Sequence, residues 1–223
     1  PRPVDTLHSP RLGDRKGLRS DIRRLFFLLF GILTNVRILS LCLVNLNKEE
    51  TRSLMKLYHV KQPKLAGDML LPLATLRDEY PELYAKAMEK YEGREEVTQN
   101  FIPLLDCLWE DVIFLSPVHP QVLHGVLVSC GHRGLIGKEA YVIDPRSLRP
   151  DRLVIYDYAD GGSYSFYDGE DYLRHARISD VTRNHYRNAV EAGKRPFLFH
   201  GVTHAMYHGE ICVDGLPVVR VRA

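Results

Sequence analysis

Residues 55–223 are predicted to form one α+β domain, with a mixed or antiparallel sheet of about seven strands and about three helices. Short apolar, β-branched runs are frequent and cluster late in the chain, and helical spacing of apolar residues is confined to a few segments. Strict alternation of strands and helices is absent, which argues against a doubly wound parallel sheet.

The individual elements follow from local patterns and end signals. Helical spacing with a Thr, Pro, Ser or Asp near the start predicts helices over about 75–92, 120–130 and 179–192. In the first of these, Thr75 is the candidate cap, and Pro81 is the alternative first turn. Short apolar runs predict strands over 57–60, 111–116, 140–144, 153–158, 197–200, 206–213 and 217–221. The Gly/Asp/Tyr-rich stretch 158–172 is predicted to contain a hairpin.

Charge divides the chain at about residue 54. Residues 1–54 hold ten Lys or Arg and five Asp or Glu, so they carry +5. The whole chain carries +2, which leaves −3 for residues 55–223. A mildly acidic body lacks the basic surface that neutralises phosphates, so nucleic acid is not expected as a partner. The expected partner is a protein or a small molecule of unknown identity.

Three interpretations of the N-terminal extension, residues 1–54, stay open. A basic flank followed by the mostly apolar stretch 25–46 is typical of a membrane anchor, although Asn35 and Arg37 lie at its centre. A disordered or docking arm is the second interpretation. The third is a mis-assigned start: Met55 opens MKLYHV, and the residues just before it can be encoded by a purine-rich ribosome-binding tract.

In every interpretation the extension is expected to pack against nothing in residues 55–223. A start at Met55 further predicts a cytoplasmic bacterial protein with no membrane contact. The four cysteines fit this compartment, because none are at CxxC spacing and reduced thiols are expected. No metal site is predicted. His200, His204 and His208 have helical spacing, but the surrounding residues favour strand–turn–strand, which holds them too far apart for one ion.

Three separated segments carry a resemblance to a known family. Tyr58-His59 lies on the first strand, DVIFLSPVHPQVL forms a strand, a Pro-containing turn and a helix, and YHGEICV places Glu210 at the start of a late strand. This order resembles the ADP-ribosyltransferase-like fold, in particular the DNA-modifying toxin branch called DarT. The start at Met55 also resembles small Gram-positive bacterial proteins that begin MxLYHV.

The resemblance implies an NAD-dependent transferase that cleaves the nicotinamide–ribose bond. In that family Glu210 and His59 would be catalytic: the Glu210 carboxylate would stabilise the oxocarbenium-like transition state, and His59 would hydrogen-bond the ribose or the nicotinamide amide. Tyr58, His59, Ser116 and Tyr141 would bind NAD, with Tyr141 stacked on nicotinamide. The alternative is a non-catalytic binding domain of unknown function.

Overall fold

The computed structural model describes residues 55–158, 161–168 and 172–223. The chain divides into two units, 1–51 and 52–223, and every described residue belongs to the second. The N-terminal extension and its apolar stretch 25–46 lie outside the described residues, so the three interpretations of them stay predictions. Within the described ranges, no helix has the length and apolar character needed to cross a bilayer.

The described residues form short strands and five α-helices, joined by several 3-10 turns. The helices are α1 (Leu73–Glu79), α2 (Pro81–Met88), α3 (Pro120–Ser129), α4 (Tyr172–His175) and α5 (Asp180–Glu191). The strands are β1 (Leu57–Val60), β2 (Met69–Leu70), β3 (Phe101–Ile102), β4 (Cys107–Leu108), β5 (Ile113–Leu115), β6 (Glu139–Ile143), β7 (Leu153–Asp157), β8 (Ser163–Phe166), β9 (His204–Tyr207), β10 (Ile211–Cys212) and β11 (Val218–Arg220).

Every pairing between these strands is antiparallel. One sheet has the order β1-β6-β11 and another the order β5-β9-β7-β8, while β2 pairs with β10 and β3 with β4. The predicted α+β class is therefore confirmed, with small antiparallel sheets in place of one larger sheet. A backbone bridge between Tyr58 and Ser116 joins the edge strands β1 and β5 of the two larger sheets.

Three apolar clusters hold these elements together. The first lies between the two larger sheets and includes Leu57, Leu115 and Ile143, each almost fully buried. The second packs α3 against α5 around Leu127 and Tyr186. The third covers the other face of the β5-β9-β7-β8 sheet with residues from the 97–112 segment. The two faces of that sheet are thus both covered, which explains the apolar runs in its central strands.

Local chemistry explains where the helices begin and end. Pro81 has no N–H to donate, so α1 ends before it and α2 starts on it instead of continuing one long helix. The Ser179 hydroxyl accepts a hydrogen bond from the Thr182 N–H and caps α5. Both α3 and α5 lie where the sequence predicts them. The predicted helix over 75–92 is wrong as one element, because it is two helices and a 3-10 turn.

Two predicted strands differ in the structure. Residues 197–200 form a turn, in which the His200 N–H donates to the Phe197 carbonyl. Gly201 follows with a φ of +68°, a conformation that ends an extended run. The predicted strand 206–213 is divided into β9 and β10, which pair with different partners. Apolar composition alone does not reveal where such a run changes its partner.

Candidate functional site

His59 lies on β1 and faces the neighbouring sheet. Its Nδ1 is 2.9 Å from the carbonyl oxygen of Phe114 on β5. A carbonyl only accepts, so Nδ1 carries the proton and donates it. Burial, together with the charge of Lys90, lowers the pKa of His59 to about 4 despite this bond. The ring is therefore neutral at pH 7, and its Nε2 presents a lone pair as an acceptor.

A second neutral histidine, His204 at the start of β9, lies beside strand β5. Its ring contacts Phe114 edge-on, with ring centres 5.5 Å apart, and Tyr158 in the same manner at 5.7 Å. Burial first and the charge of Lys90 second lower the pKa of His204 to about 4. We call His59, Lys90, Phe114, Tyr158 and His204 the histidine cluster.

Lys90 is the cation of this cluster. Its side chain is exposed to water, yet surrounding protein desolvates the ammonium and, with the nearby charge of Arg94, lowers its pKa to about 8. His59 and His204 are only partly buried by area and are desolvated in the same way.

Arg94 lies next to the cluster and lacks a carboxylate partner within the described ranges. It donates to the Lys90 carbonyl at 2.8 Å, and its guanidinium lies 4.0 Å above the ring of Phe197. Its Nε is buried, and no described residue accepts its hydrogen. Lys90 and Arg94 both lie over the ring of Tyr91, at 4.9 and 5.8 Å from its centre. Two cations with no carboxylate partner among the described residues, beside uncharged rings, are an arrangement suited to an anion.

The residues predicted to bind NAD occupy neighbouring positions, with different surroundings. Tyr58 exchanges both backbone hydrogen bonds with Ser116, and His59 is the β1 partner of Tyr141 on β6. The ring of Tyr141 belongs to the buried core between the sheets. The Ser116 hydroxyl accepts from the Val118 N–H in the turn after β5. Their roles in NAD binding stay predictions, as do the catalytic roles of His59 and Glu210.

Glu210 lies in a different place, at the head of β10. It is exposed and lines a polar groove of about 480 Å³, whose other lining residues include Thr75, Asp111, Arg152, Tyr207 and His208. None of the histidine cluster lines this groove. Tyr207 is three residues beyond His204 along a strand, a distance of about 10 Å. Phe114 accepts the hydrogen bond of His59, and the late-strand residue that lies beside Phe114 is therefore His204. Glu210 lies further along the chain.

Metal binding has no support in the part of the chain that the structure describes, where no group of three or more His, Cys, Asp or Glu side chains has a suitable arrangement. His200, His204 and His208 lie in a turn, a strand and the residue after that strand. Comparison with protein-family models, with curated proteins and with solved structures finds no match. The site is therefore interpreted from its own chemistry.

The sequence predicts His59 but none of the other five members of the site, which are Lys90, Arg94, Phe114, Tyr158 and His204. His204 is considered only as part of a histidine triplet, and Lys90 and Arg94 lie at positions typical of solvated helix residues. A useful signal was present in the segment around them: Lys90, Tyr91 and Arg94 combine two cations and an aromatic ring just after a helix, without an acid at the ion-pair spacing of a surface helix. Their convergence on His59 depends on the sheet pairing.

Proposed function

We propose that this domain binds NAD⁺ at the histidine cluster and acts as an ADP-ribosyltransferase-like enzyme that cleaves the nicotinamide–ribose bond. The observation that carries the proposal is the meeting of two neutral histidines, the rings of Phe114 and Tyr158, and the cations Lys90 and Arg94, to which no described residue offers a carboxylate. A dinucleotide needs flat apolar faces for its rings and cations for its pyrophosphate.

Each group has a part in this arrangement. The His59 Nε2 accepts a hydrogen bond from the nicotinamide amide or from a ribose hydroxyl, since Nδ1 is already bonded to the Phe114 carbonyl. Neutral imidazoles also avoid repelling the cationic nicotinamide ring. Arg94 supplies cationic N–H donors to the pyrophosphate from the part of its guanidinium that is not bonded to the Lys90 carbonyl.

Bond cleavage in this proposal requires a carboxylate near the ribose, and Glu210 is the candidate that the family resemblance supplies. Its place in a separate polar groove supports a second function, nucleotide binding without cleavage. In that case the cluster would bind NAD⁺ and leave it intact. The two functions differ only in turnover, so binding and product release have to be measured separately.

The experiment uses the full chain. NAD⁺ binding is measured by calorimetry and free nicotinamide by chromatography, for wild type, Arg94→Met and Glu210→Gln, with His132→Gln as a control outside both sites. We expect Arg94→Met to weaken binding at least about tenfold, which corresponds to about 1.4 kcal/mol. Glu210→Gln should keep binding and stop nicotinamide release. Binding without release in wild type would favour the second function, and no binding would reject both.

A further inference from the structure

The polar groove lies at one end of the β5-β9-β7-β8 sheet. Tyr207 ends β9 and pairs with Ile113 on β5 and with Leu153 on β7. Asp111 and Arg152 come just before these partners in the chain, so they line the groove from opposite sides of β9. Neighbouring strands lie ~4.8 Å apart, which places the backbones at Asp111 and Arg152 about 10 Å apart. The two side chains therefore belong to separate walls of the groove.

Opposite charges line this groove without neutralising each other. The lining holds two carboxylates, Asp111 and Glu210, and one guanidinium, Arg152. Within the described ranges, none of the three lies within 4 Å of an oppositely charged side chain. Two negative charges and one positive charge leave −1 for the lining, with histidine counted as neutral. A ligand of complementary charge carries one anionic group and two cationic groups.

The close packing of Gly209 against Tyr207 shapes the groove. A Cβ at position 209 would lie 2.9 Å from the Tyr207 ring, so only glycine lets the ring lie here without a shift. The groove has a volume of about 480 Å³, which lies within the range of about 300–1,000 Å³ that is typical of small-molecule sites. Pro72 and Ala74 give it a short apolar wall, and Tyr207 is the only Phe, Tyr or Trp among the described residues that line it. This lining suits an aliphatic ligand better than a pair of aromatic rings.

We propose that the groove binds a free cationic amino acid such as lysine, which has one carboxylate, an aliphatic stem and two ammonium groups. Arg152 binds the carboxylate, and Asp111 and Glu210 bind the ammonium groups. The stem lies along Pro72 and Ala74. An extended lysine with a hydrogen bond of about 3 Å at each end spans a distance of the order that separates the two walls. The proposal goes beyond the proposed function, since it requires neither NAD⁺ nor the histidine cluster.

Calorimetry with the full chain at pH 7 and physiological salt compares ligands that differ in one charged group. L-Lysine has all of the charged groups, cadaverine lacks the carboxylate, and L-norleucine lacks the distal ammonium. We expect lysine to bind at least about tenfold more tightly than either analogue, because each analogue loses a charge-assisted hydrogen bond. Undetectable binding of lysine would overturn the proposal, as would equal affinity for lysine and either analogue.

Variants of the two walls locate the binding site. Arg152→Met should weaken the binding of lysine about tenfold but not that of cadaverine, which has no carboxylate. Asp111→Asn keeps an oxygen that accepts the Leu108 N–H and should weaken the binding of both ligands. Arg149→Met is the matched control, because Arg149 lies outside the groove and pairs with Asp151 at 2.7 Å. Equal loss in Arg152→Met and Arg149→Met would overturn the proposal. No outcome depends on NAD⁺, so the proposed function is judged separately.

Discussion

The Nδ1–H of His59 donates to the carbonyl oxygen of Phe114 at 2.9 Å and so ties the first strand of one sheet to the edge strand of the other. The two residues are 55 positions apart in the chain. The bond also fixes the tautomer of the imidazole, and it orients Nε2 as an acceptor in the histidine cluster. The same contact therefore serves the packing of the sheets and the proposed binding site.

Replacing His59 tests the structural part of this contact. In His59→Phe the Phe114 carbonyl loses its side-chain donor, so we expect the free energy of unfolding at pH 7 to fall by about 1–2 kcal/mol. Urea denaturation followed by circular dichroism measures it. His208→Gln is the control, since it changes a histidine outside the cluster and should alter stability by no more than about 0.5 kcal/mol. Equal stability of His59→Phe and wild type would contradict the assigned bond.

Acid should destabilise the folded domain through its two cluster histidines. The pKa of His59 and of His204 is lowered to about 4, whereas an unfolded histidine titrates near 6.5. Between these values the unfolded chain binds more protons, so the free energy of unfolding falls as the pH drops from about 6.5 to 4. Each histidine can contribute on the order of 1–3 kcal/mol to this loss, because one pKa unit corresponds to about 1.4 kcal/mol.

Denaturation curves at several pH values between 7 and 4.5 measure this effect. The carboxylates titrate in every variant, so the difference between wild type and His204→Phe isolates the histidine. We expect the stability of His204→Phe to depend less steeply on pH across this range. Parallel curves for the two proteins would show that His204 stays close to its unfolded pKa, and would remove the argument that the cluster is neutral at pH 7.

Gly134 occupies a position that only glycine fits. Its φ is +75°, and a Cβ placed there would lie 2.1 Å from the Nδ1 of His124, a buried ring that accepts the Leu135 N–H at 2.9 Å. Gly134→Ala should therefore displace His124 and lower the free energy of unfolding by more than about 2 kcal/mol. Gly67→Ala is the matched control: its φ is +62°, but nothing lies within 4 Å of the added carbon.

Thermal and urea unfolding compare the two glycine variants. Backbone strain is shared by both, since both glycines have a positive φ, so the difference between them reports the contact of the added carbon with His124 and, at 3.0 Å, with Val128. We expect Gly134→Ala to be the less stable by at least about 1 kcal/mol, as buried polar contacts are costly to break. Similar losses would mean that the 133–136 turn relaxes enough to admit the methyl group.

Local signals were enough to predict the helices that begin with a strong cap. Pro120 opens α3 and Ser179 caps α5, and both helices lie where the sequence predicts them. The α+β class followed from the absence of strand–helix alternation, which is also a local property. The 197–200 segment was predicted wrongly, because its aromatic residues favour a strand in isolation. In the structure they pack beside α5, a partner that composition does not reveal.

The candidate site was less predictable, because its members meet only through long-range pairing. The family resemblance predicts His59, but His204 reaches Phe114 through the β5–β9 register, in which Phe114 faces Met206. Lys90 and Arg94 follow α2, and the weak signal around them, two cations and Tyr91 without an acid at ion-pair spacing, does not indicate that they meet His59. The resemblance also predicts Glu210, and the division of the predicted strand 206–213 into β9 and β10 places Glu210 in a polar groove that the histidine cluster does not line.

Tyr186 connects helix α5 to the turn that precedes the cluster. Its ring is fully buried, and its hydroxyl donates to the carbonyl oxygen of Leu198. Burial also raises the pKa of this hydroxyl, so it stays protonated as a donor. Residues 198–203 lead directly into His204. The bond between Tyr186 and Leu198 therefore also affects the histidine cluster. Tyr186→Phe keeps the packed ring but removes the donor, and should cost about 1–2 kcal/mol of unfolding free energy.

Tyr186→Phe should also loosen the turn formed by residues 198–203. We expect amide hydrogen exchange over 198–203 to become faster in Tyr186→Phe, while exchange in α3 stays as in wild type because the ring packing is kept. Tyr80→Phe is the control, because it changes an exposed tyrosine between α1 and α2. It should leave amide exchange unchanged in both regions. Uniformly faster exchange in Tyr186→Phe would indicate global destabilisation. It would argue against a specific role for this bond in holding His204 beside Phe114.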